Sequence, residues 1–272
     1  MAETARVAIN AATGRFDFSD TARLDAELLM AHALGVTRAA LLLGRLDDPV
    51  PEAFAALVAR RERHEPIAYI TGTRAFWTIE ILVGPGVLIS RADSETLIEA
   101  AVAHFRDRAP VRILDLGTGP GTLLLAALDQ WREATGIGVD ASPDALDMAR
   151  ANAARLGMAD RAAFRIGDWG AGIDARFDLI LANPPYVATN EALPPEVRDH
   201  EPAVALFAGP DGLDDYRRIA PQLATLLAPG GAAILEIGHT QAKAVTALLE
   251  GQDFAVALRR DLAGRPRALI AT

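Results

Sequence analysis

The chain has 272 residues, 51% of them apolar and 23% charged, with a formal charge of -9, a profile that excludes a disordered chain and allows one or two domains. The absence of cysteine excludes disulfides, thiolate nucleophiles and Cys-ligated metal sites, and the N-terminal stretch lacks the basic and apolar regions of a signal segment, so a cytoplasmic, unanchored protein is expected. With 27 basic against 36 acidic residues, and Lys243 as the only lysine, the balance opposes a protein that grips nucleic acid; neither a nucleic-acid nor a membrane partner is expected.

Residues 1–73 read as a helical domain. TARLDAELLMAHALG places Leu24, Leu28 and Leu29 at helical spacing with Gly35 as C-cap. PEAFAALVARRERH places Phe54, Leu57 and Val58 on one face, with Arg60, Arg61 and Arg63 toward the end that favours positive charge. Residues 74–108 read as a joint. FWTIEILV and VLIS flank a Gly84, Pro85, Gly86 turn as a β-hairpin, and an amphipathic helix follows.

From residue 109 to 272 strands and helices alternate. VRILDL, GIGVD, AAFRIGD, FDLILAN and AAILEIG are the strands, and Ser142 with Pro143 opens one of the intervening helices. The helix GLDDYRRIAPQLATLLAPGG is expected to end at Pro229 and its glycines. Two final strand-like runs, too close for a crossover, should pair antiparallel. The fold class is therefore α/β, a doubly wound and mostly parallel sheet covered by helices on both faces.

DLGTGPG, Asp115 to Gly121, leaves the first strand and opens a helix, where such a sheet binds a ligand. A dinucleotide fingerprint requires glycine at 122, but that residue is Thr122. The spacing of Gly117, Gly119 and Gly121, with Thr118 and Pro120 between them, instead resembles the S-adenosylmethionine loop of Rossmann-like class I methyltransferases. Asp140 ends the second strand, where a carboxylate can accept two ribose hydroxyls or simply cap the helix at Ser142. Asp168 and Trp169 end the third; the acid can accept an adenine amino group, and the indole can pack on the ring or serve as a half-buried core aromatic.

Asn183, Pro184, Pro185 and Tyr186 follow the fourth strand. The prolines fix their own φ and bring no N–H, so the turn is built from acceptors. The Asn183 side-chain oxygen and the Pro184 carbonyl can each accept one hydrogen of a planar NH2 group, and Tyr186 offers it a flat face. That points to in-line attack on an electrophilic methyl, where positioning is worth roughly 7 to 11 kcal/mol and neither a covalent intermediate nor a metal is needed. Glutamine, adenine and cytosine all present such an NH2.

At this point the chain resembles the bacterial glutamine methyltransferases that modify peptide chain release factors, the HemK/PrmC family. The shared stretches include HEPIAYITGTRAFWTIEILVGPGVLISRADSETLIE, DLGTGPG, NPPYV, HEPAVALFAGPDGLDDYRRI and LAPGGAAILEIG. The resemblance implies S-adenosylmethionine contacts from Gly117 to Gly121, Asp140 and Trp169. It also implies substrate amide binding by Asn183 to Tyr186, with Asn183 also touching the cofactor. The implied substrate is the glutamine of the Gly-Gly-Gln loop of class 1 release factors, methylated at N5, with the helical domain helping to hold the partner. Ser90 and Ala92 replace prolines usual in the family beside Arg91, and Pro120 stands where a small hydroxyl residue is common. A ribosomal-protein glutamine or a DNA adenine remains an alternative substrate at this level.

Overall fold

The computed structural model describes residues 3–272. Two compact units are present: the described residues up to Thr73 together with Leu193–His200, and Arg74–Ala192 together with Glu201–Thr272. The first contains α1 (Ala5–Thr13), α2 (Ala22–Leu34), α3 (Arg38–Gly44), α4 (Phe54–Arg61) and α5 (Ile67–Thr71). Its core gathers Ile9, Phe16, Leu29, Met30, Leu41, Phe54 and Val58. Gly35 ends α2 in the left-handed region that a glycine cap favours.

The buried face of α2 is turned relative to the sequence expectation. Leu24 is exposed, whereas Asp25 and Glu27 are buried. Arginines draw both acids inward. Glu27 lies between Arg23 at 2.6 Å and Arg38 at 2.7 Å, and Asp25 pairs with Arg61 at 2.9 Å. Arg61, expected only to complement the end of α4, is itself buried.

In the second unit β1 (Thr73–Phe76) and β2 (Ile79–Leu82) form the hairpin, but its turn is Trp77 and Thr78 rather than Gly84 to Gly86. Trp77 takes a φ of 53° while its N–H donates to the Glu95 carboxylate at 2.9 Å, and the Thr78 hydroxyl donates to Asp129 at 2.6 Å. These two anchors on neighbouring helices fix the turn. The glycines make a separate bend, and no strand follows it.

Then come α6 (Glu95–His104), β3 (Arg112–Leu116), α7 (Thr122–Gln130), β4 (Thr135–Asp140), α8 (Pro143–Arg155), β5 (Ala162–Ile166) and β6 (Phe177–Ala182). The chain next contributes α9 (Pro195–Arg198) to the first unit, although residues 193–200 fall inside the stretch that sequence assigns to the α/β domain. There Glu196 reaches Arg61 at 2.8 Å. The remaining elements are α10 (Asp214–Leu226), β7 (Leu227–Glu236), α11 (Ala242–Glu250), β8 (Val256–Arg260) and β9 (Pro266–Ala271). α10 stops before Pro229, which lies inside β7. Pairing there jumps from Phe177 with Leu227 to Leu179 with Ala232, so an irregularity in the strand absorbs the Pro-Gly-Gly run.

The seven strands run in the order β5-β4-β3-β6-β7-β9-β8. The first five are parallel, and β9 is antiparallel to both β7 and β8. The chain moves outward from β3 to β5 and then crosses back to β6, so the topological switch lies between β3 and β6. Leu116 pairs with Ala182, and Ala182 with Leu235. The residues that follow, Gly117, Asn183 and Glu236, therefore stand side by side at the carboxyl edge of the sheet. Among the described residues no single helix is long and apolar enough to cross a membrane.

Arg61→Ala strands Asp25 in the interior without its cation and is expected to destabilise the helical unit by about 3 kcal/mol. Arg6→Ala, whose partner Asp47 is 85% exposed, should cost under about 1 kcal/mol. Urea unfolding of both variants checks the contrast.

Candidate active site

The loop after β3 is closed onto β4 by one acceptor: the Gly117 and Thr118 N–H groups both donate to the Val139 carbonyl at 2.9 Å. Gly117 has a φ of 71°, and a Cβ there would stand 3.0 Å from Cζ3 of Trp169. Only glycine satisfies both the backbone and the packing. The Gly121 N–H then bonds the Thr118 carbonyl at 2.9 Å, so Pro120 lies within a tight turn ahead of α7. Its carbonyl accepts from Asn152 Nδ2 at 2.9 Å.

Asp140 is tied to main chain through both oxygens, accepting from the Gly119 N–H at 2.8 Å and the Ser142 N–H at 2.9 Å. It thus caps the lead-in to α8 and props the glycine loop at once, and each oxygen keeps a lone pair for a further donor. Trp169 packs against Gly117 with a φ of 52°, a left-handed conformation uncommon for a bulky residue. The Asp168 carboxylate instead forms an exposed ion pair with Arg218. The structure therefore gathers the glycine loop, Asp140 and Trp169, and turns the Asp168 side chain toward α10.

Asp115, the acid that opens the loop, is buried. Its Oδ2 accepts from the Thr118 hydroxyl at 2.6 Å and the Leu124 N–H at 3.2 Å, while Oδ1 is buried without a partner. Burial, reinforced by the nearby Asp140 charge, outweighs these bonds and pushes its carboxyl up to about 7. An orphaned acceptor at the base of a glycine cradle suits a ligand that brings a donor or a positive charge.

Asn183 to Tyr186 leave β6 beside that loop. Asn183 Nδ2 donates to the Ser94 hydroxyl at 3.4 Å. Among the described residues neither Asn183 Oδ1 nor the Pro184 carbonyl receives a hydrogen bond, so both acceptors remain available. The Tyr186 carbonyl accepts from Gln241 Nε2 at 2.9 Å, and the same amide nitrogen reaches the Gly212 carbonyl at 3.1 Å. A Cβ on Gly212 would come within 2.2 Å of the Tyr186 oxygen, which accounts for a glycine in the GPDGLDD run. The Tyr186 hydroxyl donates to Glu236 at 3.2 Å, and burial with the neighbouring carboxyl pushes its phenol above the ordinary range.

Sequence reasoning passed over Ser94, Glu236 and Gln241. The signal for Glu236 was a single acid in the otherwise apolar AAILEIG strand, since an unpaired charge is rarely buried. Ser94 and Gln241 carried no such mark. Farther along, Glu201 of the HEPAVALF run is buried, accepting from Arg91 at 2.6 Å and from the Ile89 N–H at 3.2 Å. That clamp holds the Ser90 to Ala92 segment without the prolines usual at those positions.

Because Asp115 binds its proton more tightly in the folded than in the unfolded chain, its stabilising effect is complete below about pH 4 and is lost as pH rises through about 7. The ligand-free protein should therefore lose up to roughly 4 kcal/mol between these limits relative to Asp115→Asn. Urea unfolding of both proteins across pH 4 to 8 measures it.

Residues 8–72 match the PrmC N-terminal domain model, and residues 107–251 match a methyltransferase domain model. The chain is 45% identical to the release factor glutamine methyltransferase of Rhodospirillum rubrum, over 92% of this chain and 78% of that one. It is 45% identical to that of Cereibacter sphaeroides (93% and 91%) and 44% identical to that of Mycolicibacterium smegmatis (98% and 97%). Among solved structures, the hMettl16 catalytic domain aligns with a TM-score of 0.57 at 13% identity, covering 81% of this chain and 82% of that one. A ribosomal protein L11 methylase from Lactobacillus delbrueckii aligns with a TM-score of 0.51 at 22% identity, covering 67% and 79%. At such identities these two show the shared class I methyltransferase fold. The identity and coverage of the first three place the chain in the family of release factor glutamine methyltransferases.

Proposed function

We propose that this protein transfers a methyl group from S-adenosylmethionine to the side-chain amide nitrogen of the glutamine in the Gly-Gly-Gln loop of class 1 release factors, giving N5-methylglutamine. The observation that carries the reading is the pair of unused acceptors, Asn183 Oδ1 and the Pro184 carbonyl, one strand away from the glycine cradle. A carboxamide nitrogen is a poor nucleophile because its lone pair is conjugated. Accepting both of its hydrogens fixes the direction of that lone pair, and it raises electron density on nitrogen as the new bond forms.

The orphaned Asp115 oxygen and the open space over Gly119 fit the cofactor. When bound it supplies a methyl group on a positively charged sulfur. Asp140 would receive its ribose hydroxyls, and Trp169 with the Gly117, Thr118, Gly119, Pro120 and Gly121 loop would form its wall. Asp168 would meet the adenine only by exchanging its Arg218 partner. Tyr186 and Pro185 would flank the planar amide, held from behind by Gln241 and Glu236. The methylated nitrogen sheds one of its hydrogens as a proton along one of these two hydrogen bonds and on to water, because neither amide oxygen is basic enough to keep it.

The helical unit is assigned to holding the release factor. The names carried by the relatives at 44 to 45% identity favour a release factor over a ribosomal protein. A net charge of -9 disfavours a DNA base.

Asn183→Ala is expected to lower turnover on a release factor about 100-fold or more while cofactor affinity stays within a few-fold. Radiolabel transfer and calorimetry measure the two quantities, and unimpaired transfer would exclude the acceptor role. Replacing the loop glutamine of the release factor with asparagine or alanine should abolish labelling. Continued labelling moves the methylated residue elsewhere.

A further inference from the structure

In the alanine-rich run ARANAARLG of α8 the one uncharged polar side chain is Asn152, a poor helix former that is nevertheless completely buried. Its carboxamide is used at both ends. Nδ2 donates to the Pro120 carbonyl at 2.9 Å and the Leu82 carbonyl at 3.0 Å, and Oδ1 accepts from the Leu82 N–H at 2.6 Å. Pro120 has no N–H, so its carbonyl is the one main-chain group by which hydrogen bonding can hold it. At Leu82 the carboxamide takes both main-chain groups of a single residue, as a neighbouring strand would, and so closes that edge of β2. Small residues allow the approach: a Cβ on Gly121 would stand 3.3 Å from that of Ala149, one turn before Asn152. One turn after Asn152, Arg155 meets the same edge, donating to the Glu80 carbonyl at 2.5 Å and its carboxylate at 2.6 Å. That second tie is exposed, at 40% and 52%, and ends at β2. Of the two, Asn152 alone continues to the cofactor loop.

We propose that Asn152 is a positioning residue for S-adenosylmethionine, its carboxamide joining the glycine loop and β2 into one element that tightens when the cofactor binds. The inference rests on the reading of Gly117 to Gly121 as the wall of the cofactor site. Asp140 holds the Gly119 N–H at 2.8 Å, and Asn152 holds the carbonyl of the very next residue. The loop is thus gripped at consecutive residues by side chains from two different elements. Without the carboxamide, the Pro120 carbonyl and both Leu82 groups lose their partners and the loop relaxes. The cofactor must then supply an ordering that the folded protein otherwise provides beforehand, and its affinity falls. Such coupling is reciprocal: a ligand that holds the loop also steadies the carboxamide and, through it, the edge of β2.

S-adenosylhomocysteine, the demethylated product, serves as a non-reacting probe. Asn152→Ala should raise its Kd, and the KM for S-adenosylmethionine, about 20-fold, while the KM for the release factor stays within about twofold. Arg155→Ala cuts the neighbouring tie between the same two elements and should leave both cofactor quantities within about twofold of wild type. Hydrogen exchange reads the coupling directly. Saturating probe should slow exchange of the Leu82 N–H about tenfold in the wild type and in Arg155→Ala, and leave it unslowed in Asn152→Ala. Wild-type affinity in Asn152→Ala, equal weakening by Arg155→Ala, or Leu82 exchange in the wild type that ignores the probe would each overturn the proposal. Should Asn152→Ala not fold, the wild-type exchange decides. Asp140→Ala separates this inference from the reading beneath it. If that variant binds the probe as tightly as wild type, the loop is not the cofactor wall and the proposal falls with it. Weakened binding in Asp140→Ala beside normal binding in Asn152→Ala refutes the role of Asn152 alone.

Discussion

The site depends on one fact of strand register: Leu116, Ala182 and Leu235 lie abreast in three neighbouring parallel strands. Everything chemical in the molecule begins one residue later. Gly117 starts the cofactor loop, Asn183 starts the acceptor turn, and Glu236 ends its own strand behind them. A slip of one residue in any of the three would swap the faces of that strand and separate the groups. The apolar strands that hold this register, with Ile113, Leu114, Leu179, Ile180, Ile234 and Leu235 all buried, contribute no chemistry. They supply the rigidity against which loop atoms are positioned.

Charge burial recurs at each place where two distant stretches of sequence must be fixed. Arg61 joins Asp25 to Glu196, Glu201 holds Arg91, and Glu236 holds Tyr186. Each arrangement joins residues far apart in the chain through a geometry that a hydrophobic contact would leave free to rotate, and each carries a desolvation cost that only a completed set of partners offsets. Asp115 and Glu236 are exceptions: one oxygen of each accepts, for Asp115 from the turn it supports and for Glu236 from Tyr186, and the other oxygen of each has no partner. An incomplete polar group of that kind stores free energy that a ligand with a suitable donor can release.

The acceptor turn works by being stiff. Two prolines fix φ and remove competing donors, Gln241 ties down the Tyr186 carbonyl, and Gly212 leaves room for that carbonyl to approach. The residual freedom is a half-turn of the Asn183 amide, which no backbone constraint removes. A neighbouring hydrogen-bond donor or acceptor must choose between its two orientations.

The sequence by itself determined the alternation of strands and helices, the doubly wound class, the glycine loop and the Asn-Pro-Pro-Tyr turn. Those features follow from local periodicity and from residues whose backbone behaviour is nearly context-free. Local reading misplaced the hairpin at Gly84 to Gly86, since Trp77 adopts its positive φ only because Glu95 and Asp129 hold the turn from elsewhere. It turned α2 the wrong way because Arg61 draws Asp25 inward from 36 residues away. It did not associate Ser94 or Glu236 with the site, for they lie 89 residues before Asn183 and 50 residues after Tyr186. Only the tertiary structure decided those pairings. The identity of a buried charge is written in the sequence, but its partner is set by strand order and register, which depend on the packing of the whole sheet.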